Sequence, residues 1–114
     1  MSEFFKRAAE AASFNPAKQA KTDLFSGNQL FVGLNCFEPG QSQPVHAHAG
    51  ADKFYFLVSG KARMTVGAET AEARAGDIVW APADVAHGVV EALERTVMLV
   101  AIAPPPERGP KTVA

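Results

Sequence analysis

The stretch "PVHAHAGADKFYFLVSG", residues 44–60, decides how the chain is read. His46 and His48 stand two apart, so on a strand both side chains leave the same face, about 6.5 Å apart along it. Two imidazoles placed that way can converge on one ion. The stretch runs on into "KFYFLVS" (53–59), whose aromatic and branched residues signal a strand, and it closes on Gly60, a turn residue. Lys53 stands where a metal site would be expected to offer a carboxylate. A protonated lysine has no lone pair to give.

Outward from this stretch the texture is that of a β-domain. Short apolar or alternating runs occupy 29–37, 62–66, 70–74, 77–81, 87–91 and 96–102, and with 44–48 and 53–59 they make eight candidate strands. Pro39-Gly40, Gly60-Lys61, Gly67-Ala68, Gly76-Asp77 and Pro82-Ala83-Asp84 punctuate them as turns. Eight short strands at near-regular spacing predict a sandwich or barrel. Before them, Ser2 can cap an amphipathic helix in which Phe4, Phe5, Ala8, Ala9 and Ala12 recur at helical spacing until Asn15-Pro16, so residues 1–15 form an N-terminal helix and 22–103 the barrel. The tail from 104 to 114 holds four of the eight prolines and is expected to run extended.

Composition narrows the classes. A chain of 114 residues is sized for one core, and 47% hydrophobic with 20% charged residues is ordinary for a globular domain. A net charge of -1 and a pI near 6.3 leave no basic footprint for nucleic acid. A single cysteine, Cys36, allows no intrachain disulfide, and no apolar run approaches the roughly 20 residues needed to span a bilayer. The N-terminus has no apolar stretch of signal-peptide length, so the expectation is a cytoplasmic protein that binds neither membrane nor nucleic acid.

The third histidine, His87, follows "APADVA", and the chain has no other. Its placement completes a pattern. Gly40, five residues, His46-Ala47-His48, four residues, Lys53, six residues and Gly60 form one motif; Gly76, five residues, Pro82 and, five positions on, His87 form a second. Together these resemble the two motifs of the cupin superfamily, in the manner of the small RmlC-like members. The resemblance implies an all-β double-stranded β-helix, a jelly-roll barrel, with His46, His48 and His87 holding a divalent transition metal, whether iron, nickel, manganese or zinc. It also implies a homodimer. Three positions depart from the family pattern: Lys53 replaces a glutamate ligand, Asp84 replaces a glycine, and Glu91 stands where asparagine is common.

Lys53 admits three readings. Three imidazoles hold an ion without it while its head lies by the cavity; or burial lowers its pKa until a neutral amine acts as base or ligand; or the metal is gone and the lysine binds an anion or turns to solvent. Period two carries the inward face of position 53 through Tyr55, a pocket hydroxyl or a core aromatic bonded to backbone, and that of His87 through Val89 to Glu91. Lys53, Tyr55 and Glu91 are therefore the candidate substrate-steering residues, with a Lys53–Glu91 pair across the barrel open as well. Phe54, Phe56 and Trp80 are expected to pack outside, against the helix or a second subunit. Met64 and Met98 are expected to fill core, and Cys36 to sit as a small buried hydrophobe unless it reaches the cavity. Functionally the pattern points to a metal-dependent enzyme on a small organic molecule, dioxygenase-like or isomerase- or lyase-like, which Lys53 would bias toward a carboxylate-bearing substrate. The alternative is a small-ligand or metal-binding module without catalysis.

Overall fold

Strands that alternate inward and outward residues each bury one face, and two sheets laid together satisfy all of them at once. The computed structural model describes residues 2–106. Among these, nine strands follow one short helix, α1 (Ala8–Ala11): β1 (Ala20–Ser26), β2 (Phe31–Phe37), β3 (Gln43–His46), β4 (Asp52–Ser59), β5 (Lys61–Val66), β6 (Glu69–Arg74), β7 (Ile78–Ala81), β8 (His87–Ala92) and β9 (Thr96–Ala103). They form a five-stranded sheet, β1-β2-β9-β4-β7, and a four-stranded one, β3-β8-β5-β6. Every pairing is antiparallel. This is the expected all-β double-stranded β-helix.

Between the sheets lie Phe37, Tyr55, Leu57, Met64, Val89 and Met98, all buried. Each large side chain so placed contributes roughly 1.5–3 kcal/mol of hydrophobic stabilisation. A second cluster forms on the outer face of the five-stranded sheet, where Leu24, Leu34, Cys36 and Val97 are covered by Ala8, Ala11, Ala12 and Phe14. Cys36 is thus a buried hydrophobe on the side away from the histidines, and burial raises its thiol pKa.

The expected helix over 1–15 is a single turn. Ser2 Oγ accepts from the Phe4 and Phe5 amides at 3.2 and 3.1 Å, but this closes a local bend and caps no helix, since α1 begins at Ala8 behind Arg7 with no side-chain cap. Phe4 and Phe5 are 75% and 70% exposed, and a helix without a packed face is marginal at this length. Only the turn from Ala8 to Ala11, anchored on the sheet by Ala8 and Ala11, stays helical. One strand, β1, lies in a stretch that sequence patterning leaves unassigned: Lys21 and Asp23 alternate with Thr22 and Leu24 along a rim strand, and polar residues on the inward face hide its period. Of the expected tail, residues 107–114 lie outside the described ones.

Candidate metal centre

His46 closes β3 directly opposite His87, the first residue of β8. That close approach needs Gly88, because a Cβ there would meet the Gln43 carbonyl at 2.8 Å and the Pro44 carbonyl at 3.1 Å. β3 ends at His46, so His48 stands in the following loop and not on the strand. The loop is held from β7's far end: the Asp84 amide donates to the His48 carbonyl at 3.0 Å, and Asp84 Oδ1 accepts from the Gly50 amide at 3.1 Å. Asp84 adopts a left-handed φ of 68°, the conformation a glycine would supply, which aspartate tolerates better than most residues.

The three rings converge. Their centroids are 5.0 Å apart for His46–His48, 4.5 Å for His46–His87 and 5.4 Å for His48–His87, and a ligand atom from each lies within 4.8 Å of the others. Nitrogens bound near 2.1 Å around one ion stand roughly 3–4 Å apart, so a small inward movement completes the set. His46 Nδ1 lies 2.8 Å from the Pro44 carbonyl and His87 Nδ1 3.0 Å from the Val85 carbonyl. A carbonyl only accepts, so Nδ1 carries the hydrogen in both rings and Nε2 keeps its lone pair. The Nε2 atoms of His48 and His87 are buried without a hydrogen-bond partner. Buried polar atoms are rarely left so, and these fit a metal ion. Burial, followed by the charge of Lys53, lowers the His48 pKa to about 4. Burial also lowers that of His87, against the raising effect of its Val85 bond. Both offer unprotonated nitrogen at neutral pH.

Lys53 points inward at 4% exposure, its Nζ 4.4 Å from the centre of the Tyr55 ring. Burial, and then the charge of Lys21, lowers its pKa to about 8, so it is an ammonium for the most part at neutral pH. The reading in which Lys53 turns to solvent is excluded. Tyr55 is fully buried beside His87, with ring centroids 6.1 Å apart, and its hydroxyl donates to Gln43 Oε1 at 2.7 Å. Gln43 in turn donates to Gln19 Oε1 at 3.2 Å. The phenol is therefore tied to a side-chain chain that sequence reading misses, neither free in the cavity nor bonded to backbone.

Glu91 does not join the cluster. It pairs with Arg63 at 3.5 Å on the outside, with nearly half of each side chain exposed. The cause is a register shift: Met64 faces Val89 and Arg63 faces Glu91, so Val90 is the extra residue of a β-bulge and the inward period is reversed beyond Val89. No Lys53–Glu91 pair exists. Phe54 and Trp80, with Ile78, are 36%, 56% and 68% exposed on the outer face and Phe56 is half-buried, and none of them joins the cluster under the N-terminal segment. A cavity of about 390 Å³ adjoins the histidines, lined in part by Lys21, Asn35, His46, His48 and Lys53.

Two facing antiparallel sheets with three imidazoles gathered at one end define a jelly-roll barrel with an internal ligand cluster. The chain belongs to the cupin family: the cupin domain matches residues 33–103. It is 40% identical over 76 residues to an uncharacterized protein of Streptomyces coelicolor, a match that spans 67% of this chain and 71% of that one. The crystal structure of a Thermus thermophilus protein is similar with a TM-score of 0.85 at 37% identity, covering 90% of this chain and 98% of the other. An RmlC-like cupin from Desulfovibrio desulfuricans is similar with a TM-score of 0.76 at 26% identity, covering 85% of this chain and 92% of the other. No helix among the described residues is long and apolar enough to cross a membrane.

Proposed function

We propose that this cupin holds one divalent transition metal ion on His46, His48 and His87 and acts on a small organic molecule bound in the adjoining cavity. The observation that carries the reading is the pair of buried, unpartnered Nε2 atoms of His48 and His87 beside His46. Iron, nickel, manganese and zinc all suit imidazole, and three protein donors leave coordination positions open, as a reacting site requires. When bound, the metal supplies Lewis acidity or oxygen activation, with dioxygenase-type chemistry ahead of isomerase or lyase chemistry.

The chain's own residues divide the remaining work. The Pro44 and Val85 carbonyls hold the His46 and His87 rings in orientation. Tyr55 packs against His87 and limits its movement. Phe31, Val100 and Ile102 wall the cavity and exclude water from the organic part of a substrate. Lys53, with a pKa of about 8, can donate or accept a proton at Nζ near neutral pH.

A second reading, a metal or ligand-binding module without turnover, is favoured by one feature: no carboxylate joins the histidines among the described residues, which leaves Lys53 as the group for proton transfer. Metal analysis of untagged protein, then oxygen uptake over phenols, thiols and diketones, separates the two. Near-stoichiometric metal with substrate-dependent uptake supports the enzyme; metal without turnover on any substrate supports the binder; protein that takes up no metal after supplementation defeats the metal-dependent enzyme and the metal binder, leaving a metal-free ligand-binding barrel.

The reading extends to a cytoplasmic homodimer. The exposed Phe54, Ile78 and Trp80 on the outer face of β4 and β7 support a subunit interface there. Light scattering coupled to gel filtration should give twice the monomer mass, and Trp80→Glu should halve it.

A further inference from the structure

The cavity beside the histidines is basic. Lys21 in β1 lies directly across the ladder from Asn35 in β2, and Lys53 reaches in from β4 on the far side of β9. Asn35 and Lys53 are each 4% exposed. No ion pair to Lys53 occurs among the described residues. Asp23, the single carboxylate in the lining, sits exposed on β1 and already has an interaction of its own. A lysine could lie here merely to pack its stem, but such side chains usually carry their heads out to bulk water. This one keeps its ammonium over the Tyr55 ring, in the cavity that Lys21, His46 and His48 also line. Holding the Lys53 ammonium away from water, in a cavity that a second lysine also lines, costs free energy, and an anion arriving there offsets that cost.

The remaining wall selects the kind of anion. Phe31, Val100 and Ile102 present apolar surface. Gly33 keeps the space open: a Cβ there would meet the Phe31 ring at 3.0 Å, so the ring now lies back over the glycine. A volume of about 390 Å³ exceeds what a bare inorganic ion fills and suits a small organic body.

We propose that Lys53, Lys21 and Asn35 form a seat for the carboxylate of a small organic acid, with a further oxygen donor of the same molecule directed toward the three histidines. The second clause rests on the metal reading above; the first does not. Lys53 supplies a charge-assisted hydrogen bond, Asn35 an amide donor, and Lys21 a longer-range attraction at the mouth. The lysine in the glutamate's place is then a specificity device.

Calorimetric titration of untagged protein, both metal-free and zinc-loaded, tests the proposal with 2-oxobutanoate, its methyl ester and inorganic phosphate as probes. The acid should bind at least about tenfold more tightly than the ester, the loss expected when a charged hydrogen-bond partner is removed. Lys53→Met should lower acid affinity by a similar factor while zinc content stays unchanged. Lys21→Met, at an exposed position that does not endanger folding, should lower it by a smaller one. Equal binding of acid and ester, no acid binding in either form, wild-type affinity in both variants, or phosphate binding as tightly as the acid would each overturn the seat. Failure to load zinc, with acid-over-ester preference kept in metal-free protein, would sink the metal reading and leave the seat standing.

Discussion

Two cavities of similar size teach opposite lessons. The larger, about 460 Å³, opens between the edge strands β6 and β7 and is lined by Met64, Glu69, Glu72, Asp77 and Trp80 among others. Its polar groups are spent or solvated: Glu72 lies 3.8 Å from Lys61, and Asp77 accepts from the Arg74 amide at 2.9 Å. The smaller, about 390 Å³, adjoins two imidazole nitrogens, Nε2 of His48 and of His87, that the fold itself leaves without hydrogen-bond partners. Volume does not distinguish them. Convergence of unsatisfied polar groups does, because a folded chain leaves a buried polar atom unpaired only where something else is to meet it.

Substitutions can break this contrast or sharpen it. His87→Ala should weaken zinc binding by more than roughly 100-fold, since loss of a ligand exceeds the penalty for a supporting residue, while Glu72→Ala in the larger cavity should leave metal content unchanged by plasma emission analysis. Next comes pH. Lys53 titrates at about 8 in the fold and at 10.5 when unfolded, so between those values the unfolded chain holds a proton that the folded one has released. Stability therefore rises with pH across that window. Metal-free wild type should gain on the order of 1–3 kcal/mol relative to Lys53→Met between pH 8 and 10.5, read from urea midpoints at each pH.

Asp84→Ala should cost about 1–2 kcal/mol, because it removes the Gly50 hydrogen bond and leaves a left-handed residue without its polar side chain. Asp84→Gly should cost less, as the backbone conformation is then free; equal losses would show that the bond alone matters. Smallest of all, Glu91→Gln should shift stability by no more than about 0.5 kcal/mol and leave metal binding untouched, as suits an exposed pair with Arg63. A large effect on metal would put Glu91 back at the site.

Much of this was legible in the chain itself, and the failures have physical causes. His46, His48 and His87 were readable because turn residues at Gly40, Gly60 and Gly76 set the spacing between them. The direction of Lys53 was not settled by the sequence, because a lysine on a strand can turn to solvent or inward, and only the fold shows it buried. Glu91 was misread as inward, because the bulge at Val90 flips the alternation and leaves no local signature. β1 escaped because its inward positions, Lys21 and Asp23, are polar at a cavity mouth and resemble loop. Gln43 and Asn35 were invisible for a related reason: a buried amide acquires its role from partners and cavities that only tertiary folding supplies. The helix was overread because its spacing is amphipathic while Phe4 and Phe5 find no packed face, and only Ala8, Ala11, Ala12 and Phe14 of the segment meet the sheet.

The central claim is that three imidazoles from β3, its following loop and β8 bind one ion. X-ray absorption at the zinc edge, on untagged protein loaded with one equivalent, tests it most directly. The expected result is one zinc per chain with three imidazole shells at about 2.0–2.1 Å, and their loss in His87→Ala. A first shell of oxygen alone, or the same spectrum in wild type and variant, would contradict it.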